Sequence, residues 1–207
     1  MTSFARAERL ALADTLLAAG PDAPTLCDGW ATRDLAAHLV LRERRPDAAA
    51  GILLKAVAGH TAKVQAGLAA GDYAALVGKV RRPPFWFGPG FAEETVNLTE
   101  FLIHHEDVRR AAPGWTPRTL DPAYERAVAG RIKQSARLAV RRFPAAITVE
   151  PEQGTPFTVG AGGEALAVHG KPSELLLFFT GRQAVADVTV TGPEALADRL
   201  RTARLGL

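Results

Sequence analysis

The residues best able to do chemistry gather in one run, Glu100-Phe101-Leu102-Ile103-His104-His105-Glu106-Asp107. Side chains four apart share a helix face, with Cβ atoms about 5–6 Å apart, so Glu100 and His104 can point at one ion. Carboxylate oxygen and imidazole nitrogen both suit borderline divalent metals. Phe101, Leu102 and Ile103 between them mark a helix buried around much of its circumference, where an unpartnered charge is costly. The E-x3-H spacing is common, and a surface salt bridge or a satisfied core histidine is its more frequent meaning. His38 adds weight, because it lies between Leu35 and Leu39 on the apolar face of another helix. Metal sites in helical bundles arise this way, from facing helices whose side chains converge inward. Three protein ligands would leave a fourth position open, as reactive sites do.

The neighbours admit two readings each. His105 is about 100° round the helix from His104, so it reads as a surface or supporting residue rather than a ligand to the same ion. Asn97, one turn before Glu100, is placed to bond a ligand or cosubstrate, or to pack as a bundle amide. Arg109 and Arg110 can clamp a carboxylate substrate, or pair with Glu106 and Asp107. Asp34 reads as a first-turn acid facing the helix dipole, with orientation of His38 as the alternative. Cys27 has no activating partner nearby in sequence and reads as structural. Trp30 reads as a staple at the start of the second helix, and His60 and His169 have no motif around them.

Several elements must position these residues. Residues 3–19 carry apolar residues at helical spacing and stop at Gly20-Pro21. A second helix starts with Thr32 as N-cap, and Pro46 interrupts it. An Ala-rich third helix is expected from about Asp47 to Gly71, and a short one from Tyr73 to Val80. The Pro- and Gly-rich aromatic stretch Pro83–Phe91 reads as a loop that either walls a pocket or packs on the bundle. The Glu100 helix then runs from about Phe91 to Ala112. Asp121-Pro122 caps and opens another, reaching about Arg142. From Pro144 the character changes. Ala146–Glu150, Pro156–Val159, Ala165–Val168 and Val188–Val190 read as strands, with Gly160–Gly163 as a hairpin turn. Helices are expected over Pro172–Phe179 and from Pro193 to about Arg204. The fold class is therefore α+β and mostly helical, with a helical bundle over 1–143 and a small α/β unit over 144–207.

The run Leu26-Cys27-Asp28-Gly29-Trp30-Ala31-Thr32-Arg33-Asp34-Leu35-Ala36-Ala37-His38 resembles the first motif of the mycothiol-dependent maleylpyruvate isomerase family, loosely C-x-G-W-x-x-x-D-L-x-x-H. Glu100 and His104 match that family's second motif in residue type, spacing and chain order. The resemblance spans roughly residues 1–143 and implies a DinB-like up-down helical bundle. Residues 144–207 are similar to the family's small α/β C-terminal domain. The resemblance further implies a zinc-like divalent ion on His38, Glu100 and His104, and mycothiol as a thiol cosubstrate. After His104 the sequence is more polar than the family pattern, which is more like a separate branch than the isomerase itself.

The remaining composition narrows the function classes. At 207 residues, 47% hydrophobic and 23% charged, the chain can bury a sizeable core. A net charge of +3 without a basic tail or zinc-finger cysteines argues against nucleic acid as a partner. One cysteine fits a reducing compartment, and no stretch nears the roughly 20 apolar residues of a membrane span, so a cytoplasmic setting without membrane partners is expected. The leading expectation is a metal-dependent S-transferase or isomerase that activates a small thiol toward an electrophilic substrate. A metal-dependent hydrolase and a non-catalytic metal- or ligand-binding module are the alternatives. The oligomeric state is left open.

Overall fold

The computed structural model describes residues 3–52, 54–85 and 91–205. Ser3 accepts from the Arg6 amide and opens α1 (Phe4–Ala19), which ends at Gly20 with φ of 81°. In α2 (Thr32–Arg44) the cap is Ala31, one residue earlier than expected. Asp34 returns its carboxylate to the Ala31 amide at 3.0 Å, so it closes the first turn and leaves His38 to other partners. The Thr32 hydroxyl is drawn off to the Gly20 carbonyl.

The long third helix is broken. Its span holds α3 (Pro46–Ala49), two short 3₁₀ turns at Ala50–Ile52 and Lys55–Val57, and α4 (Ala58–Ala69). The cause is a close approach at Gly51, where an added Cβ would stand 2.0 Å from the Thr61 hydroxyl and 2.7 Å from the Val57 carbonyl. Thr61 then donates to Ala48 at 2.5 Å and holds the fold-back. Next come α5 (Tyr73–Arg81), capped by Asp72, and α6 (Phe91–Arg109). The middle of the aromatic loop, 86–90, lies outside the described residues; Phe85 at its start is 88% exposed.

Leu12 and Leu16 of α1, Leu35, Leu39 and Val40 of α2, Val77 and Val80 of α5, and Phe101 and Val108 of α6 form one apolar core. Burial stabilises each large aliphatic side chain by about 1.5–3 kcal/mol, and this core holds α2 and α6 in mutual register. Beside it Arg9 is fully buried, bonded to Glu43 and Glu93, with its guanidinium 4.3 Å from the Phe101 ring centroid.

The chain divides into compact units at 1–116 and 117–207. The division thus falls before α7 (Pro122–Ala139), not after Phe143, because α7 packs on α8 (Pro172–Phe179) within the second unit. Glu125 of α7 ties the two by accepting from both the amide and the hydroxyl of Ser173. Asp121 caps α7 as its sequence predicts. The sheet has the order β2-β1-β3-β4, from β1 (Ala146–Pro151), β2 (Phe157–Gly160), β3 (Ala165–Gly170) and β4 (Val188–Thr191). β1 lies between β2 and β3, antiparallel to the first and parallel to the second. Gly160–Gly163 is therefore a crossing over the end of β1, not a hairpin turn. A Cβ at Gly162 would meet the Pro144 carbonyl at 2.7 Å, which explains a glycine there. The final helix is α9 (Glu194–Thr202). Among the described residues no helix is long and apolar enough to cross a membrane.

Candidate metal centre

His38 points inward from α2 and meets α6 at Glu100 and His104. One carboxylate oxygen, Glu100 Oε1, lies 3.5 Å from His38 Nε2 and 3.3 Å from His104 Nε2. The three donor atoms lie within 4.8 Å of one another, and the two imidazole rings meet edge-on with centroids 5.4 Å apart. With metal–ligand bonds of about 2.0–2.1 Å, the ligand–ligand edge of a tetrahedral zinc site is about 3.3 Å. The two measured edges match that value and exceed an ordinary hydrogen bond, so this donor set fits a divalent cation. Glu100 keeps 25% of its side chain exposed; the two imidazoles are more deeply buried.

The surroundings were less legible in the sequence. Asp107 is fully buried and places Oδ2 2.9 Å from His104 Nδ1. The Cys27 thiol donates to that same oxygen at 3.2 Å, and its sulfur lies 4.0 Å from His104 Nδ1. Cys27, His104 and Asp107 thus form a second cluster of ligand-type side chains around the opposite nitrogen of the same ring. Arg42, one turn after His38, sets Nε 3.2 Å from Glu100 Oε1. Trp30 does more than staple the start of α2, for its ring lies 5.1 Å from that of His38. Helical spacing could have found Arg42 and Asp107, which stand four and three residues from a candidate ligand.

Charge is distributed unevenly over the three donors. Burial pushes the His38 pKa below its ordinary value, outweighing its contact with Glu100, so its ring is neutral near pH 7. Burial pulls His104 the same way, yet Asp107, Cys27 and Glu100 hold its pKa well above the usual histidine range. Burial also opposes ionisation of Glu100, but His104, His38 and Arg42 keep its carboxyl well below the usual carboxylate range. Without an ion, the cluster is a neutral imidazole, a carboxylate and an imidazolium.

The other expected site residues fall elsewhere. Asn97 is fully buried, donating to Glu43 at 2.8 Å and accepting from Arg42 at 2.6 Å, so Arg42 links it to the cluster. Arg109 is held by both oxygens of Glu106 and by the Thr116 carbonyl, and Arg110 also bonds Glu106. Both expected cosubstrate contacts are thus engaged by protein partners. His105 turns to α1, where Glu8 meets Nδ1 at 2.6 Å and Thr15 meets Nε2 at 2.9 Å.

No protein-family model and no curated protein sequence matches the chain. Two solved structures do match in three dimensions. A mycothiol-dependent maleylpyruvate isomerase aligns with a TM-score of 0.60 at 16% identity, covering 92% of this chain and 96% of that one. A histidine-to-alanine mutant of such an isomerase aligns over the same shares with a TM-score of 0.61 at 14% identity. At that identity the likeness establishes the fold: a helical unit followed by a small α/β unit, as in that isomerase.

Proposed function

We propose that this chain is a divalent-metal-dependent enzyme that works with a low-molecular-weight thiol, as an S-transferase or isomerase. Zinc is the proposed metal, mycothiol the proposed thiol and the cytoplasm its setting. The observation that carries this reading is the convergence of His38, Glu100 and His104 from two separate helices, with Glu100 near tetrahedral-edge distance from each imidazole. The fold shared with a mycothiol-dependent isomerase supports it.

A bound divalent cation would supply an open coordination position at which a thiol, with a free pKa near about 8.5, becomes a thiolate at neutral pH. The protein's own residues have simpler tasks. His38, Glu100 and His104 hold the cation, and Arg42 steadies the Glu100 carboxylate. Trp30 packs against His38 and shields that side of the cluster. No protein nucleophile is required, and Cys27 lies against the Asp107-facing nitrogen of His104. In S-transfer the thiol sulfur bonds an electrophilic carbon as the leaving group departs with its electron pair. In isomerisation the thiol adds to an activated double bond, the new single bond rotates, and elimination returns the thiol.

The test is to incubate zinc-loaded protein with mycothiol and a panel of electrophiles that includes maleylpyruvate, beside the His38→Ala variant. The reading expects thiol consumption or cis–trans conversion with wild type and not with the variant. No difference between them would overturn it. Turnover that persists without thiol would point to hydrolysis. A second reading rests on Arg42, whose contact with Glu100 gives that carboxylate a cationic partner without an ion. It predicts a metal-free, non-catalytic polar core.

A further inference from the structure

We infer that Asp107 is the positioning residue of the metal centre: its carboxylate holds a proton on Nδ1 of His104, so that Nε2 is the nitrogen left to give up its proton to an ion at the point shared with His38 and Glu100. The inference rests on the metal-binding reading and concerns this chain's own residues.

The chemistry of the carboxylate sets the direction of the hydrogen bond. An ionised carboxylate can only accept, so the contact of 2.9 Å between Asp107 Oδ2 and His104 Nδ1 requires the proton on that nitrogen. The two ring nitrogens then have different work, one turned to Asp107 and the other to Glu100 Oε1 at 3.3 Å. A histidine ligand whose distal N–H donates to a carboxylate has its tautomer and ring angle fixed, and its basicity raised.

Asp107 is itself held from two directions. Its backbone carbonyl accepts from the Leu26 amide at 3.0 Å, and its Oδ2 accepts from the Cys27 thiol at 3.2 Å. Leu26 and Cys27 belong to the connection before α2, which is closed by the bridge between Pro24 and Ala31. Within it, the Trp30 amide donates to the Cys27 carbonyl at 3.0 Å, and Thr25 donates to the Trp30 carbonyl at 2.8 Å. The segment that carries Trp30 onto His38 is therefore the same one that clasps Asp107 behind His104. One connection aligns both imidazoles, which gives Cys27 and Trp30 a shared purpose beyond packing.

The test compares wild type with Asp107→Ala and Asp107→Asn. Zinc affinity is measured by competition with a chromophoric chelator, the visible spectrum is recorded with cobalt(II) in place of zinc, and the melting temperature is taken without metal. The expected result is a fall in zinc affinity of about 10–100-fold for Asp107→Ala, with a smaller loss in Asp107→Asn, which keeps the shape but not the charge. The cobalt spectrum should change in the same order. Should Asp107→Ala fail to fold, Asp107→Asn decides the matter alone. Zinc affinity within about threefold of wild type, alongside a lower metal-free melting temperature, would make Asp107 a packing residue and overturn the inference. A wild-type protein without zinc affinity would instead remove the metal reading beneath it.

Discussion

Two adjacent histidines on α6 have opposite fates. His105 is closed: Glu8 occupies one ring nitrogen and Thr15 the other, at 2.6 and 2.9 Å. His104 has the same kind of backing, with Asp107 at 2.9 Å, but its second nitrogen faces a carboxylate oxygen at 3.3 Å that His38 and Arg42 also approach. Carboxylate backing alone therefore does not distinguish a ligand from a core histidine. The vantage of the second nitrogen does. Where protein hydrogen bonds complete it, the residue contributes stability; where several donors crowd one point at longer range, it is equipped for an ion.

The comparison breaks if the two histidines respond alike. His104→Ala should lower zinc affinity by about 1,000-fold or more, since one of a few ligands carries a large part of a binding free energy on the order of 10–16 kcal/mol. His105→Ala should leave zinc binding nearly unchanged in the same titration. Its cost should appear in urea denaturation of the metal-free protein, as a loss of about 1–3 kcal/mol, because the buried 2.6 Å contact with Glu8 is removed. An equal fall in zinc affinity in the two variants would erase the distinction.

Acid sharpens it further. His104 has a raised pKa, so near neutral pH zinc must displace its proton, whereas His38 is already neutral. Zinc affinity should fall as pH drops, by up to about tenfold per unit, with release of about one proton per ion near pH 7. Calorimetry in buffers of differing protonation enthalpy measures that release, and its absence would contradict the charge distribution over the donors. The smallest expected effect is that of Thr15→Val. It should cost about 1 kcal/mol in urea denaturation and leave zinc affinity unchanged, because it removes a bond only from His105.

Helical periodicity made His38, Glu100 and His104 legible, since each lies on an apolar face and the i, i+4 rule joins two of them. It could not rank the partners of Asp107. Arg110, three residues on, lay at equally good helical spacing, and the preference for His104 emerges only once the Leu26–Cys27 connection fastens Asp107 on that side. Asn97 and Arg109 were plausible contacts by position, but the buried Arg9–Glu43 pair and Glu106 engage them. The break in the Ala-rich stretch is invisible to propensity because it depends on Thr61 reaching back across Gly51. Strand segments could be read individually from their composition. Their order could not, because β1 pairs with a strand that follows two turns later. The boundary at Thr116 depends likewise on a distant contact, Glu125 with Ser173.

The most direct test is the metal content of purified protein after exposure to zinc and removal of loosely held ions, measured by elemental analysis beside His104→Ala. The account predicts about one zinc per chain in wild type and close to none in the variant. A folded wild-type protein that retains no zinc would contradict it, leaving His38, Glu100, His104 and Arg42 as a polar core held together by their own charges.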